Sequence, residues 1–342
     1  MRWRGADLTW TPSAEVGETA RRERAGLSWL VRLAVFTALI ASSLTVSTET
    51  GYAAAAPSRT KSYYEATANP AAMYLQGEQA GRSGAEGIVI LDFGRPGVDG
   101  SVYGTFGYGN VLIPFASISA GVESYIKGYY RFAPPYTMLN VAVGTNNSCG
   151  TGQPCGPSQV ICGCPDEPPD FSIWGQHFAL AVEQIGAWTS AFRAGAGFTD
   201  DVRVVAADDV EPAFDPEYRN TYELLKGYSS VVGGFFPPLV DYGSADADVW
   251  TDDQLLQVAY GFPPDVPMPE IYYSPDAAEW AALLSYAKAT SGKTREIFGV
   301  LTEVSGPSSP ELAYTEMLNA LAPITNQRVI PWLSTITRCC GV

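Results

Sequence analysis

The sequence predicts an α/β protein folded as a (β/α)8 TIM-type barrel, with an open doubly wound parallel sheet as the alternative. Three observations carry that expectation. Apolar runs of strand length alternate with helical patterns between residues 87 and 342, and strand followed by helix, repeated, implies a parallel sheet covered by its connections. Eight such runs are present. The roughly 255 residues that hold them match the size of one such barrel.

Ahead of that region, residues 1–56 have the order of a secretory signal with a basic extension. Arg21, Arg22, Arg24 and Arg32 precede the apolar run Leu33–Val46, which gives way to the small residues Ala53–Ala56. The run holds 14 residues, short of the ~20 that cross a bilayer. A cleaved signal, and no stable membrane span after cleavage, is therefore expected. Residues 57–86 are polar and mixed, and are expected to form an irregular lead-in to a single domain over 87–342.

The strand candidates, in order, are Gly87–Gly94, Thr137–Asn146, Val202–Glu211, Pro238–Gly243, Leu255–Gly261, Pro269–Ser274, Glu296–Glu303 and Val329–Thr337. Helical patterns fall at Phe115–Arg131, Phe171–Phe192, Pro216–Lys226, Pro275–Thr290 and Pro310–Leu321. No clear helix separates the fourth and fifth runs, because Pro237, Pro238, Pro263 and Pro264 interrupt that region.

The formal net charge is −15, and removal of residues 1–56 takes six basic and five acidic side chains and leaves −16. Such a surface repels phosphate backbones, and no local basic patch offsets it, so no nucleic-acid partner is expected. All six cysteines, Cys149, Cys155, Cys162, Cys164, Cys339 and Cys340, lie beyond the leader. An even number in an exported chain implies disulfides, with 15 possible pairings. Zinc is the alternative for the first four, but their spacing lacks paired C-x-x-C elements.

On a barrel the carboxyl ends of the strands converge on one mouth. Those ends carry Asp92, Asn146, Asn147, Asp208, Asp209, Glu211, Asp241, Tyr260, Tyr272 and Glu303. Within "VRVVAADDVEPAFDPEY", residues two apart share a face, so Asp209 and Glu211 point together while Asp208 points away. Two carboxyls on one face suit glycosidic bond cleavage, in which one donates a proton and the other serves as base, nucleophile or charge stabiliser. Their mutual repulsion and burial raise one pKa and keep that acid protonated. Asp92, Asp209, Glu211 and Glu303 are accordingly the catalytic candidates. Asn146, Asp241, Tyr260 and Tyr272 are candidates for substrate binding, with Trp250 and Tyr108 as ring platforms for sugar faces.

Other acids have plainer roles. Asp215 before Pro216 is expected to cap a helix, with Glu217 solvated beside it. Asp246, Asp248, Asp252 and Asp253 lack the glycine and spacing of a calcium loop. The single histidine, His177, excludes any multi-histidine metal site. Neither a G-x-S-x-G elbow nor a G-x-x-x-x-G-K-[ST] phosphate loop is present. No cofactor and no metal are expected.

A strand bearing Asp209-Val210-Glu211, the third of those expected, together with Asp92 at the end of the first, resembles the glycoside hydrolase family 25 lysozymes and related secreted bacterial barrels. In those lysozymes a D-x-E motif on the fourth strand and an aspartate on the first line the cleft that cuts peptidoglycan. The resemblance implies that Glu211 is the acid, assisted by Asp209 and Asp92. Two function classes follow: a secreted hydrolase acting on a polysaccharide or peptidoglycan, extracellular or cell-wall associated, or a non-catalytic glycan- or cell-wall-binding barrel. A third class, a metal-dependent esterase or phosphodiesterase, would need a metal site made of acids alone.

Overall fold

The central strands are buried on both faces, and the two sets of buried side chains do different work. In β2 (Gly87–Asp92), β6 (Met138–Asn146) and β7 (Asp201–Asp209), one set packs with the helices into the main core through Val89, Leu91, Val141, Val143, Val204 and Ala206. The opposite set, including Ile88, Ile90, Ala142, Val205 and Ala207, forms a second cluster with Val240, Tyr242, Met268, Leu301 and Ile336, to which no helix contributes a buried residue. This pattern belongs to a sheet whose inner face is filled by its own side chains.

The computed structural model describes residues 55–109, 111–148, 170–233, 236–262 and 265–338. All of them fall within one unit, 54–342. The expected signal up to residue 54 and all six cysteines lie outside the described residues. Among the described residues, no helix is long and apolar enough to cross a membrane.

The sheet has eight strands, all joined by parallel pairing. In chain order they are β1 (Arg59–Tyr64), β2, β6, β7, β8 (Leu239–Asp241), β9 (Asp265–Pro267), β10 (Gly299–Glu303) and β11 (Trp332–Arg338). Their order across the sheet is β10-β11-β1-β2-β6-β7-β8-β9, so it curls from β10 round to β9. Backbone bonds also run between the segment after β9 and the β10 region. Leu301 N–H donates to Pro269, Ile271 N–H to Leu301 and Phe298 N–H to Pro267, with a parallel bridge at Glu270 and Leu301.

Seven helices connect these strands: α1 (Pro70–Arg82), α2 (Phe115–Phe132), α3 (Phe171–Ala196), α4 (Arg219–Val232), α5 (Asp252–Tyr260), α6 (Ser274–Ser291) and α7 (Pro310–Leu321). Several begin at side chains that cap free N–H groups. Asn69 accepts from Ala71 and Ala72, Asp170 from Ser172 and Ile173, and Ser309 from Leu312.

Three expectations are corrected. Residues 57–86 are no irregular lead-in; they form β1 and α1. The inward residues of β1, Thr60 and Ser62, are polar, which hid the strand, yet their hydroxyls are bonded internally. Ser62 Oγ pairs with Ser334 Oγ at 2.7 Å and accepts from Ile90 N–H at 2.8 Å. Leu255–Gly261 is helical rather than extended, lying within α5 and its C-cap, Gly261. Its buried residues Leu255, Val258 and Ala259 follow helical spacing, and Thr251 with Gln254 closes a capping box. The number of sheet strands is as expected, but the membership differs. The strand expected over Pro269–Ser274 also shifts, to Asp265–Pro267, with pairing continuing only to the bridge at Glu270.

After β2 the chain inserts a small antiparallel sheet, β3 (Arg95–Asp99), β4 (Val102–Phe106) and β5 (Leu112–Pro114). Gly94, at φ 90°, turns the chain into it, and a Cβ there would lie 2.3 Å from the Phe106 carbonyl oxygen. The insertion is stitched to β6 where Asn146 N–H and Thr145 Oγ1 both donate to the Gly94 carbonyl.

Candidate functional site at the carboxyl ends of the strands

Strand alternation carries the inward faces of β2, β6 and β7 onward to Asp92, Asn146 and Asp209, and one step further to Glu211. At the same end of the sheet lie Tyr64 from β1, Glu270 after β9, Glu303 from β10 and Arg338 from β11. Together with Tyr108, Phe214, Ser244, Tyr272, Tyr273 and Trp280, most of these line a cavity of about 540 Å³.

At its floor, Asp209, Glu211 and Glu270 each present a carboxyl oxygen within 4.8 Å of the others. Asp209 and Glu270 are each only 8 % exposed. Tyr272 Oη donates to Glu270 Oε1 at 2.5 Å, and Ser244 Oγ donates to Glu211 Oε2 at 2.7 Å. One oxygen of Asp209 is buried without a hydrogen-bond partner.

Burial raises Asp209 well above the usual carboxylate range, and Glu270, Glu211 and Asp92 push it the same way. Glu270 is also raised well above that range, again by burial first, against the lowering bond from Tyr272. In Glu211 burial outweighs the bond from Ser244, and the direction is again upward. Three carboxyls this close and this dry hold at least one proton between them near neutral pH. The arrangement therefore provides an acid and a base in one place.

Glu211 lies two residues beyond the end of β7, where backbone pairing has stopped, and the side chain of Asn147 takes over. Asn147 Oδ1 accepts from Glu211 N–H at 3.0 Å, while Asn147 Nδ2 donates to the Glu211 carbonyl at 3.1 Å and to Thr221 Oγ1 at 2.9 Å. This buried amide fixes the backbone of Glu211 to β6 and to α4 at once.

Asp92 sits just beneath the cavity and is fully buried. Its carboxylate accepts from Tyr108 Oη at 2.6 Å and from Gly94 N–H at 2.7 Å. Burial raises its pKa, in spite of those two bonds. Gly144 leaves room for it, since a Cβ there would lie 2.8 Å from the Asp92 Cα. The Tyr108 ring meets Tyr64 edge-on, with centroids 5.0 Å apart.

Of the expected site residues, Asp209, Glu211, Glu303, Asn146, Tyr272 and Tyr108 line this cavity, and Asp92 supports it from below. Three lie elsewhere. Trp250 is 2 % exposed, packs edge-on against Tyr218 and donates Nε1–H to the Asp215 carbonyl, so it is a core residue and no sugar platform. Tyr260 ends α5 and its hydroxyl bonds to the Glu296 carbonyl. Asp241 alternates with the inward Val240 and Tyr242, which turns it to the helix side, beside its register partner Asp208. Asp241 is pushed up to about 7 by burial. Asp208 does point away from Asp209, as expected, and neither of its buried carboxyl oxygens has a hydrogen-bond partner.

The helix start after Glu211 also differs from expectation. A 3-10 turn at Pro212–Phe214 intervenes and α4 begins only at Arg219. Asp215 still closes the first turn, because its Oδ2 accepts from Thr221 N–H and Thr221 Oγ1. Glu217 is exposed. His177, on α3, stacks on Tyr103 at 3.9 Å between centroids, a local packing role.

Glu270, Tyr64 and Trp280 are among the cavity residues the sequence reasoning missed, with Ser244, Glu279 and Arg338. Glu270 had a signal, since it precedes Tyr272 by two and so shares its face in an extended segment. Tyr64 was hidden by the polar inner face of β1, and Trp280 by its position inside a helix pattern.

Among the described residues, Asp209, Glu211 and Glu270 are the one group of side chains close enough to hold a metal ion. No protein-family model matches the chain, and no curated protein matches it significantly.

Proposed function

We propose that the chain is a secreted, glycoside hydrolase-like (β/α)8 barrel protein that cleaves a glycosidic bond in a polysaccharide or in peptidoglycan. The observation that carries this reading is the meeting of Asp209, Glu211 and Glu270, from two strand ends, on the floor of a cavity walled by aromatic rings. Closure of the barrel is supported by the backbone bonds between residues 267–271 and the β10 region, and by an inner cluster without helix residues. The likeness to family 25 lysozymes gains support because β7 is the fourth sheet strand in chain order. It loses some because Asp92 ends the second. Secretion rests on the order of basic, apolar and small residues in the leader.

In the reaction we infer, Glu211 gives its proton to the glycosidic oxygen as the C–O bond breaks, and Glu270, oriented by Tyr272, attacks the anomeric carbon. Water then displaces Glu270, losing a proton back to Glu211. Asp209, close to both, keeps the shared proton in the cluster and favours charge on the sugar side. The retaining course is part of this proposal: selected carboxyl oxygens within 4.8 Å of one another favour direct attack, as in retaining pairs, over a water held between two separated carboxyls.

The test is incubation of the full chain with peptidoglycan and common polysaccharides, followed by mass analysis and a reducing-end assay. New reducing ends are expected, falling ~10²-fold or more in Glu211→Gln, with the fold kept by circular dichroism. Unchanged activity in that variant would overturn the assignment. Saturable binding with no product would favour the glycan-binding barrel instead.

A further inference from the structure

The cavity holds more acid than bond cleavage requires. Asp209, Glu211, Glu270, Asp276, Glu279 and Glu303 all line it, against the single cation Arg338. Asp276 is committed to the start of α6, accepting from the N–H groups of Tyr272 and Tyr273. Glu303 and Glu279 have no part in the three-carboxyl cluster. None of the ion pairs among the described residues involves a cavity acid.

Two further atoms independently point to a ligand. One oxygen of Asp209, 8 % exposed, and Nε1 of Trp280, 1 % exposed, are both buried without hydrogen-bond partners, and both residues line the cavity. An unpartnered acceptor and an unpartnered donor suit a ligand that carries both kinds of group, as a sugar does. The rings of Tyr64, Tyr108, Tyr272 and Tyr273 stack on sugar faces and also attract cations.

Resting on the hydrolase reading above, we propose that the cavity recognises a glycan bearing free amino groups, a polymer of unacetylated hexosamine. Ammonium groups at neighbouring sugars meet Glu303, Glu279 and the buried Asp209, while the rings hold the sugar faces. The same acids repel uronic acids and sulfated glycans. The net charge of −15 draws a polycation toward the mouth from a distance.

The experiment compares a β-1,4-linked glucosamine hexamer with its fully N-acetylated counterpart, using the full chain, by calorimetric titration and by product analysis at ~50 and ~500 mM NaCl. The expected result is at least ~10-fold tighter binding of the amine form at low salt, with the advantage shrinking at high salt. Glu303→Gln is expected to reduce that preference several-fold by weakening the amine form more than the acetylated one. Equal or tighter binding of the acetylated form overturns the inference, as does tighter binding of a polyuronate. Saturable binding of CaCl2 or MgCl2 alone that abolishes the amine preference also overturns it, by assigning the acids to a metal. The two readings fail separately: amine-selective binding without cleavage overturns only hydrolysis, and cleavage without amine preference overturns only the selectivity.

Discussion

Strand β7 begins and ends with an aspartate, and the two ends have opposite electrostatics. At the start, Asp201 is bonded by Arg193 from α3 and by Arg203 from its own strand, beside a cavity of about 730 Å³ lined in large part by apolar side chains. At the other end, Asp209 faces Glu211 and Glu270 with no cation paired to any of them and an oxygen without a partner. Matched charge at the amino end of a strand serves the fold. Unmatched, buried charge at the carboxyl end opposes folding, and such expense is characteristic of sites where chemistry or binding takes place.

Removing one acid from the unmatched end gives the largest expected change. Glu270→Gln should lower reducing-end release by ~10² to 10⁴-fold, while its urea midpoint stays level or rises because a buried charge is gone. Full activity in that variant would sink the contrast between the two ends.

Next in size is the amide that holds Glu211. Asn147→Ala is expected to cut kcat by at least ~10-fold with a smaller change in KM, and to destabilise the fold by ~1–3 kcal/mol as the N–H and carbonyl of Glu211 lose their partner. Steady-state kinetics with a urea titration checks both. An unchanged kcat would mean that Glu211 holds its place unaided.

The acids on the helix side should show in the pH dependence of stability. Asp241 rises to about 7 in the folded state, against ~3.9 in an unfolded chain. Between those values the unfolded chain has already released a proton that the folded protein keeps. Stability is therefore greatest at the acid side of the window and falls as pH rises from ~4 to ~7. Asp241→Asn keeps an oxygen for the Gly243 N–H and should flatten this slope, with a gain of ~1 kcal/mol or more near pH 8. Urea midpoints measured at several pH values test it, and an equal slope in both proteins would refute it.

The smallest effect belongs to the matched end. Asp201→Asn weakens partly exposed ion pairs, so a loss below ~1 kcal/mol is expected, with activity unaltered. A large activity loss there would erase the distinction between the ends.

Much of this arrangement was legible in the sequence because apolar strands announce themselves. "GIVILD" and "VRVVAADD" are largely buried on both faces, so the runs could be read directly, although each expected strand extends two residues past its observed carboxyl end; the sharing of a face by Asp209 and Glu211 followed from alternation alone. What stayed hidden was set by contacts between distant segments. The inward face of β1 is made of hydroxyls that find partners only when Ser334 and Ile90 arrive from elsewhere in the chain. "LLQVAYG" is apolar enough for a strand, and only the Thr251–Gln254 box before it marks a helix. Trp250 sits in sequence that looks like a loop, but Tyr218 and Asp215 bury it. Glu270 joins the site because the segment after β9 bridges to Leu301 of β10, which no local pattern encodes.

The inserted sheet β3–β5 brings Tyr108 over the carboxyls from outside the order of the main sheet, and it is anchored by Phe106 and Ile113 in the main core, by the Gly94 carbonyl and by the bond from Trp174 Nε1 to the Gly104 carbonyl. On the hydrolase reading proposed above, recognition and reaction would thereby be housed on different parts of the chain. The turn between β4 and β5 that carries Tyr108 stands apart from the eight strands that hold the acids, so a change of ring there alters the roof of the cavity and leaves its floor in place.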